Sequence, residues 1–269
     1  MIKIFDTHAH YDDDAFDGDR ETLIDSFKEN GIYAVTNIGA DLKSSQNTLG
    51  LIKKYDFFYG AVGVHPSDVD CLEEIGDDEK AIKLLLDMAE SSERVVAIGE
   101  IGLDYHYEDT DKPLQEKWFR KQLGLARRLK LPVVIHSRDA AADTIDIMKD
   151  EKAGEIGGVI HCYSYSVESA KIFLNMGFYI GVGGVVTFKN GRKLVETVEY
   201  TPLDRIVLET DSPYLAPQDY RGKRNSSLYI PYVAKKIAEI KGVSVDEVYE
   251  TTWNNAVKMY KIKEAIWKS

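Results

Sequence analysis

Ile2-Lys3-Ile4-Phe5-Asp6-Thr7-His8-Ala9-His10 opens the chain with a strand-like run, and its ending decides between the two common parallel α/β folds. An open dinucleotide-binding sheet needs a glycine-rich turn directly after its first strand, where the backbone approaches a pyrophosphate. Asp6-Thr7-His8-Ala9-His10 stands there instead. Side chains two apart on a strand share a face, so His8 and His10 can reach one ion from the strand end. Asp6 has the same parity and is expected behind them as a supporting carboxylate. Taken alone, the pair reads equally well as packed or surface histidines; the rest of the chain supplies the weight.

Working outward, short runs rich in Val, Ile and aromatics recur, each followed by polar or glycine-containing turns. They predict strands over 2–6, 33–37, 57–62, 95–99, 132–136, 157–161, 178–181 and 205–208. Helical periodicity lies between them, as in Phe119, Leu123 and Ala126, or Ile230, Val233, Ile237 and Ile240. Ser166 and Asp19 read as helix starts. About eight strand–helix units in 269 residues fit one (β/α)8 TIM barrel, which typically takes about 250 residues. The expectation is a single domain over 1–269, with two helices across about 230–262 packed outside the barrel.

The predicted strand ends carry the chemistry. The first gives His8 and His10; the third runs into His65; the fourth leads to Glu100; the fifth and sixth end at His136 and His161; the eighth leads through Glu209 to Asp211. In a closed barrel these ends open on one face. A lone histidine after an apolar strand is more often a structural residue, but several at one rim point to a metal. Glu100, after Val95-Val96-Ala97-Ile98-Gly99, would be costly to bury unpaired, and its two oxygens suit a bridge between cations. Asp211 can ligate a metal and take a proton from water. His106 lies off this pattern and reads as ordinary.

Composition limits the function. The 44% hydrophobic content suits a sizeable core, and no run approaches the roughly 18 apolar residues of a membrane span. The N-terminus does not read as a signal peptide. Two cysteines suggest a reducing compartment, so the expected location is cytoplasmic. A net charge of -11 excludes a protein that coats long duplex DNA. Strand ends or single strands remain open to it, and no obligate protein partner is evident.

Phe5-Asp6-Thr7-His8-Ala9-His10, Gly63-Val64-His65-Pro66, Ile98 to Tyr105, Val134 to Ala140, Ile160 to Ser164, Leu208 to Pro217 and Arg221-Gly222-Lys223-Arg224-Asn225 run nearly end to end. Together they resemble the TatD family of metal-dependent hydrolases, in the amidohydrolase superfamily. The resemblance implies two divalent ions, Mg, Mn or Zn. His8, His10 and Asp211 would hold one, His136 and His161 the other, and Glu100 would bridge them. It further implies deoxyribonuclease activity of a 3′–5′ exonuclease kind, with a metal-activated water and with Asp211 and Glu100 as catalytic residues. His65, Arg138, Arg221 and Arg224 are the expected substrate contacts. The alternative is a D-aminoacyl-tRNA deacylase or another ester or amide hydrolase; a non-enzymatic scaffold would be expected to lack ligands. Two departures from the family pattern, Tyr165 and Ser226-Ser227, are expected to bear on the substrate, Tyr165 by narrowing the pocket.

Overall fold

The structure is a computed structural model and describes residues 3–263. Eight parallel strands follow one another in chain order: β1 (Ile4–Ala9), β2 (Ile32–Ile38), β3 (Phe58–Val62), β4 (Val95–Asp104), β5 (Val133–Arg138), β6 (Gly158–Ile160), β7 (Tyr179–Val182) and β8 (Ile206–Leu208). The seam between the last and the first is joined by backbone, with the Asp211 amide donating to the His8 carbonyl at 2.9 Å and the His10 amide to the Ser212 carbonyl at 2.7 Å. The outer layer is α1 (Arg20–Asp25), α2 (Leu42–Lys54), α3 (Asp70–Glu73), α4 (Asp78–Glu90), α5 (Lys112–Leu129), α6 (Ala141–Asp150), α7 (Val167–Asn175), α8 (Arg192–Tyr200), α9 (Ile230–Lys241) and α10 (Val245–Met259). The architecture is the (β/α)8 barrel expected from the sequence. The predicted first strand begins at Ile2, which lies outside the described residues.

Local chemistry sets the elements. Asp41, Asp77, Asp111 and Ser244 each accept a hydrogen bond from a backbone N–H in the first turn of the helix they precede. In α5 the buried side chains Trp118, Phe119, Leu123 and Ala126 recur at helical spacing and face the barrel. Strand alternation separates two cores. One face, including Ile4, Val35, Phe58, Ile98 and Ile135, packs with the helices. The other includes Phe5, Tyr59, Val96, Val134, Val159, Tyr179 and Val207, each at the first or second position of its strand.

That second cluster also takes in Ala256, Met259, Tyr260 and Ile262. The end of α10 and the residues after it therefore stop the N-terminal end of the barrel, rather than lying wholly outside it as the pattern suggests. The fully buried Tyr260 hydroxyl donates to the Thr7 carbonyl at 2.7 Å. An apolar helix end reads the same from sequence whether it covers the barrel or plugs it.

The fourth strand also departs from expectation. It continues past Gly99 to Asp104, with a register shift between Ile98 and Ile101, and pairs Gly102 with His136 and Asp104 with Arg138. Gly102 has φ 143°, and a Cβ there would meet the His136 carbonyl oxygen at 1.9 Å. Only glycine lets the two strands close at this level, and the closure delivers both Glu100 and Asp104 to the mouth.

Candidate metal centre

The C-terminal strand ends converge on Glu100, whose residue is 3% exposed. On one side, His8 Nε2 and His10 Nε2 are 3.1 Å apart, and each lies 3.5 Å from Asp211 Oδ1. Glu100 Oε2 completes this group at 3.3 Å from His8 Nε2 and 3.7 Å from His10 Nε2. On the other side, Glu100 Oε1 is 2.7 Å from His161 Nε2 and 2.8 Å from His136 Nδ1, and these two nitrogens are 3.4 Å apart. The six residues expected to share ions therefore meet at one rim.

The donor set fits metal. Four tetrahedral ligands at about 2.1 Å from an ion stand roughly 3.4 Å from one another, close to the spacings of the His8–His10–Asp211–Glu100 group. Two lone-pair-bearing nitrogens facing each other at 3.1 Å also need something positive between them, a proton or a cation. Mixed imidazole and carboxylate ligands suit Zn or Mn better than an all-oxygen site would.

Two of the rings, His10 and His136, are fixed from behind. His10 Nδ1 bonds the Ile38 carbonyl at 2.9 Å, which turns Nε2 inward. His136 Nε2 lies 3.1 Å from Asp104 Oδ2, which leaves Nδ1 for the Glu100 side. Sequence reasoning misses Asp104. Its signal is its place four residues after Glu100, but the glycine at 102 reads as a turn that ends the strand before it. Asp6, expected behind the histidines, reaches His8 through the backbone and not the ring: its Oδ1 accepts from the His8 amide at 3.3 Å, and a register shift between Asp6 and Ala9 breaks the simple alternation. Its carboxylate accepts from the Thr210 amide and hydroxyl and from the Ser227 hydroxyl at 2.6 Å, and so anchors the segment that carries Asp211. Asp211 itself sits at φ 58°, a left-handed conformation that Asp tolerates better than most residues.

Electrostatics follow from this packing. Burial opposes charge on His10, but the Asp211 hydrogen bond and charge, with Glu100, raise it to about 9. Burial likewise opposes charge on His136, and Asp104 with Glu100 raise it to about 9. Burial and the charge of His161 push His8 down to about 4. Burial would raise Glu100, yet His161 and His8 hold it well below the usual carboxylate range. Glu209, pushed up to about 8 by burial, stands 3.9 Å from His161 Nδ1.

The expected substrate contacts divide. His65 and Arg138 line the cavity of about 830 Å³ over the centre, with Asp12, Asp68, Tyr107 and Tyr214. His65 Nδ1 accepts from the Ser67 amide at 3.1 Å, so the neutral ring carries its proton on Nε2, 3.8 Å from Glu100 Oε1. Burial and the charge of His136 keep its pKa down near 3. Arg221 and Arg224 do not line this cavity. The Arg224 donors are taken by the Asp19 carboxylate and the Ala15 carbonyl, and the Arg221 guanidinium lies 4.6 Å from the Phe188 ring centre. Tyr165 does not narrow the pocket, because its hydroxyl is held by Ser137 at 2.9 Å and by the Ala140 amide at 3.1 Å. Ser226 and Ser227 are buried, and Ser227 serves the Asp6 network rather than a substrate. His106 pairs with Asp139 at 2.9 Å. Among the described residues no helix is long and apolar enough to cross a membrane.

Known proteins resemble the whole chain. The profile of the TatD related DNase family matches residues 5–261. An uncharacterized metal-dependent hydrolase of Bacillus subtilis, YabD, is 41% identical over 259 residues, covering 96% of this chain and 99% of the relative. YcfH of Escherichia coli, likewise an uncharacterized metal-dependent hydrolase, is 34% identical over 262 residues, covering 96% of each chain. Among solved structures, the TatD homologue YjjV of Escherichia coli superposes with a TM-score of 0.89 at 28% identity, covering 97% of this chain and 98% of that one.

Proposed function

The chain belongs to the TatD related DNase family and is a metal-dependent hydrolase, and from that premise we propose that it cleaves phosphodiester bonds in DNA, from the 3′ end of single strands. The observation that carries this reading is the division of Glu100. Its two oxygens face two separate histidine pairs, one completed by Asp211 and one backed by Asp104. We assign His8, His10 and Asp211 to one divalent ion, His136 and His161 to a second, and Glu100 to both; Mg, Mn and Zn are the candidates. Bound there, such ions would bring the pKa of water towards about 7 and neutralise charge growing on the phosphate.

The residues divide the remaining work. Asp211, 3.5 Å from both His8 and His10, orients the attacking water and accepts its proton. His65 presents a neutral Nε2–H to a phosphate oxygen, and so acts as a hydrogen-bond donor rather than as a base. Arg138, 45% exposed in its side chain and at the cavity wall, meets the phosphate from the outside. The acidic surface keeps a long duplex away, which favours ends and single strands.

A second reading has one observation in its favour. Asp12, Asp13 and Asp68 line the cavity, and Arg138 is the one Lys or Arg among its lining residues, a setting that suits an ammonium-bearing aminoacyl ester such as a D-aminoacyl-tRNA. The deciding experiment loads the protein with Mn and offers a 5′-labelled single-stranded oligonucleotide and a D-aminoacyl-tRNA in parallel. Successive shortening of the oligonucleotide from its 3′ end is expected. Release of the amino acid with no nucleotide release would instead establish the ester reading.

A further inference from the structure

The loops around the mouth are divided by charge. The segments after β1 (residues 10–19) and β3 (residues 63–77) carry five Asp or Glu each and no Lys or Arg. The opposite composition appears after β7 and β8. After β7, residues 183–193 hold Lys189, Arg192 and Lys193 and no acid; after β8, residues 212–224 hold Arg221, Lys223 and Arg224 with one acid, Asp219.

These two basic segments form one surface that begins at the cavity. Val185 and Leu215 are cavity-wall residues; the chain runs from Val185 into the first basic segment and from Leu215, past Asp219, into the second. Gln218 ties them together: its amide donates to the Thr187 hydroxyl at 2.8 Å, and its side-chain oxygen accepts from the Lys189 amide at 3.2 Å. The Arg221 guanidinium lies over Phe188, and Lys223 Nζ is 5.6 Å from the Tyr220 ring centre, itself stacked on Tyr229 at 4.1 Å. Arg192 pairs with Glu196 and Arg224 with Asp19, whereas Lys189, Lys193, Arg221 and Lys223 make no ion pair among the described residues. All four are exposed. Cations interleaved with aromatic rings are what a single strand needs, phosphates meeting the first and bases stacking on the second.

We propose that the surface formed by the β7 and β8 loops is the track for the single strand behind its reacting end, with Lys189, Arg221 and Lys223 on its phosphates, while the acidic β1 and β3 loops exclude the strand from the other side. This rests on the nucleic-acid reading above, and it gives Arg221 a role outside the cavity. It also explains how a chain of charge -11 can hold a polyanion: the excess of acid is absent from the one sector where the polymer lies.

The test is fluorescence anisotropy of metal-loaded protein with a fluorescein-labelled 20-nucleotide phosphorothioate strand across a salt series. The Lys189→Gln/Arg221→Gln/Lys223→Gln variant is expected to bind about tenfold more weakly. Its log-affinity against log-salt slope is expected to be smaller in magnitude by about 2, at about 0.7 for each phosphate that the variant no longer neutralises. A control with the same charge change on outer helices, Lys53→Gln/Lys149→Gln/Lys235→Gln, is expected to keep the wild-type slope. An unchanged slope in the loop variant, an equal loss in the control, or no binding by the wild-type protein would overturn the track. Binding intact with no hydrolysis of ordinary DNA would sink the phosphodiesterase reading and leave the track standing.

Discussion

The two ends of the barrel are built from the same eight strands and opposite chemistry. At the C-terminal ends, buried His8, Glu100 and His161 crowd charged and titratable groups around one point. At the N-terminal ends, Phe5, Tyr59, Val134 and Tyr179 meet Met259 and Tyr260 in an apolar plug. The mouth holds groups that stabilise the fold poorly without a cation, because each is desolvated beside others that titrate. The floor recovers stability through apolar burial, on the order of 2 kcal/mol for each large side chain removed from water. Activity and stability should therefore separate along the barrel axis.

The widest separation comes from the mouth. Asp211→Asn removes the proposed proton acceptor and one proposed charged ligand, and is expected to lower kcat/KM by about a thousandfold or more, near 4 kcal/mol, while the protein still folds. Steady-state kinetics beside a thermal melt measures both, and a variant retaining a tenth of the activity would place the base elsewhere. The converse variant is Met259→Ala. It should cost about 3 kcal/mol of stability in urea unfolding and leave kcat/KM within about threefold. Comparable losses in both quantities would show that floor and mouth are coupled.

A finer distinction lies within the mouth. Asp104 touches no proposed ion, yet it holds the His136 ring by Nε2. Asp104→Asn is expected to weaken binding of the second ion about 10- to 100-fold, by isothermal titration, with the first ion little affected. Equal weakening of both ions, or of neither, would remove Asp104 from that role.

The smallest effect is one of pH. In metal-free protein, His10 and His136 are raised to about 9, so the stability they contribute is complete below about 6.5 and lost as the pH climbs through 9. Glu209, raised to about 8, acts in the same direction, because its charged form is the disfavoured one. The melting midpoint of the metal-free protein is expected to fall by a few degrees between pH 6.5 and 9, and saturating Mn or Zn should remove the fall by taking the place of the protons. A midpoint flat across that range without metal would contradict the ring environments described here.

How much is legible in the sequence follows the same axis. The mouth is readable because residue types able to ligate metal recur at strand ends, a pattern that the barrel topology brings together, and the six side chains expected as ligands do converge. Asp104 escapes that pattern because Gly99 and Gly102 look like a turn, whereas glycine here permits two strands to approach and the strand to continue. Asp6 bonds the His8 backbone and not its ring, where one register shift breaks the alternation, and no residue type announces it. Arg221 and Arg224 rest on motif alone in the sequence, but whether an arginine faces a cavity depends on partners such as Asp19 and Phe188 that lie far away along the chain. The plug is invisible for the reason that apolar periodicity reports burial and not which surface is covered.

The central claim is that one carboxylate, Glu100, separates two cation positions. Crystals grown with Mn or Zn and measured at the metal's absorption edge test it directly. Two anomalous peaks are expected, one against His8, His10 and Asp211 and one against His136 and His161, with Glu100 touching both. A single peak, or peaks away from Glu100, would contradict it.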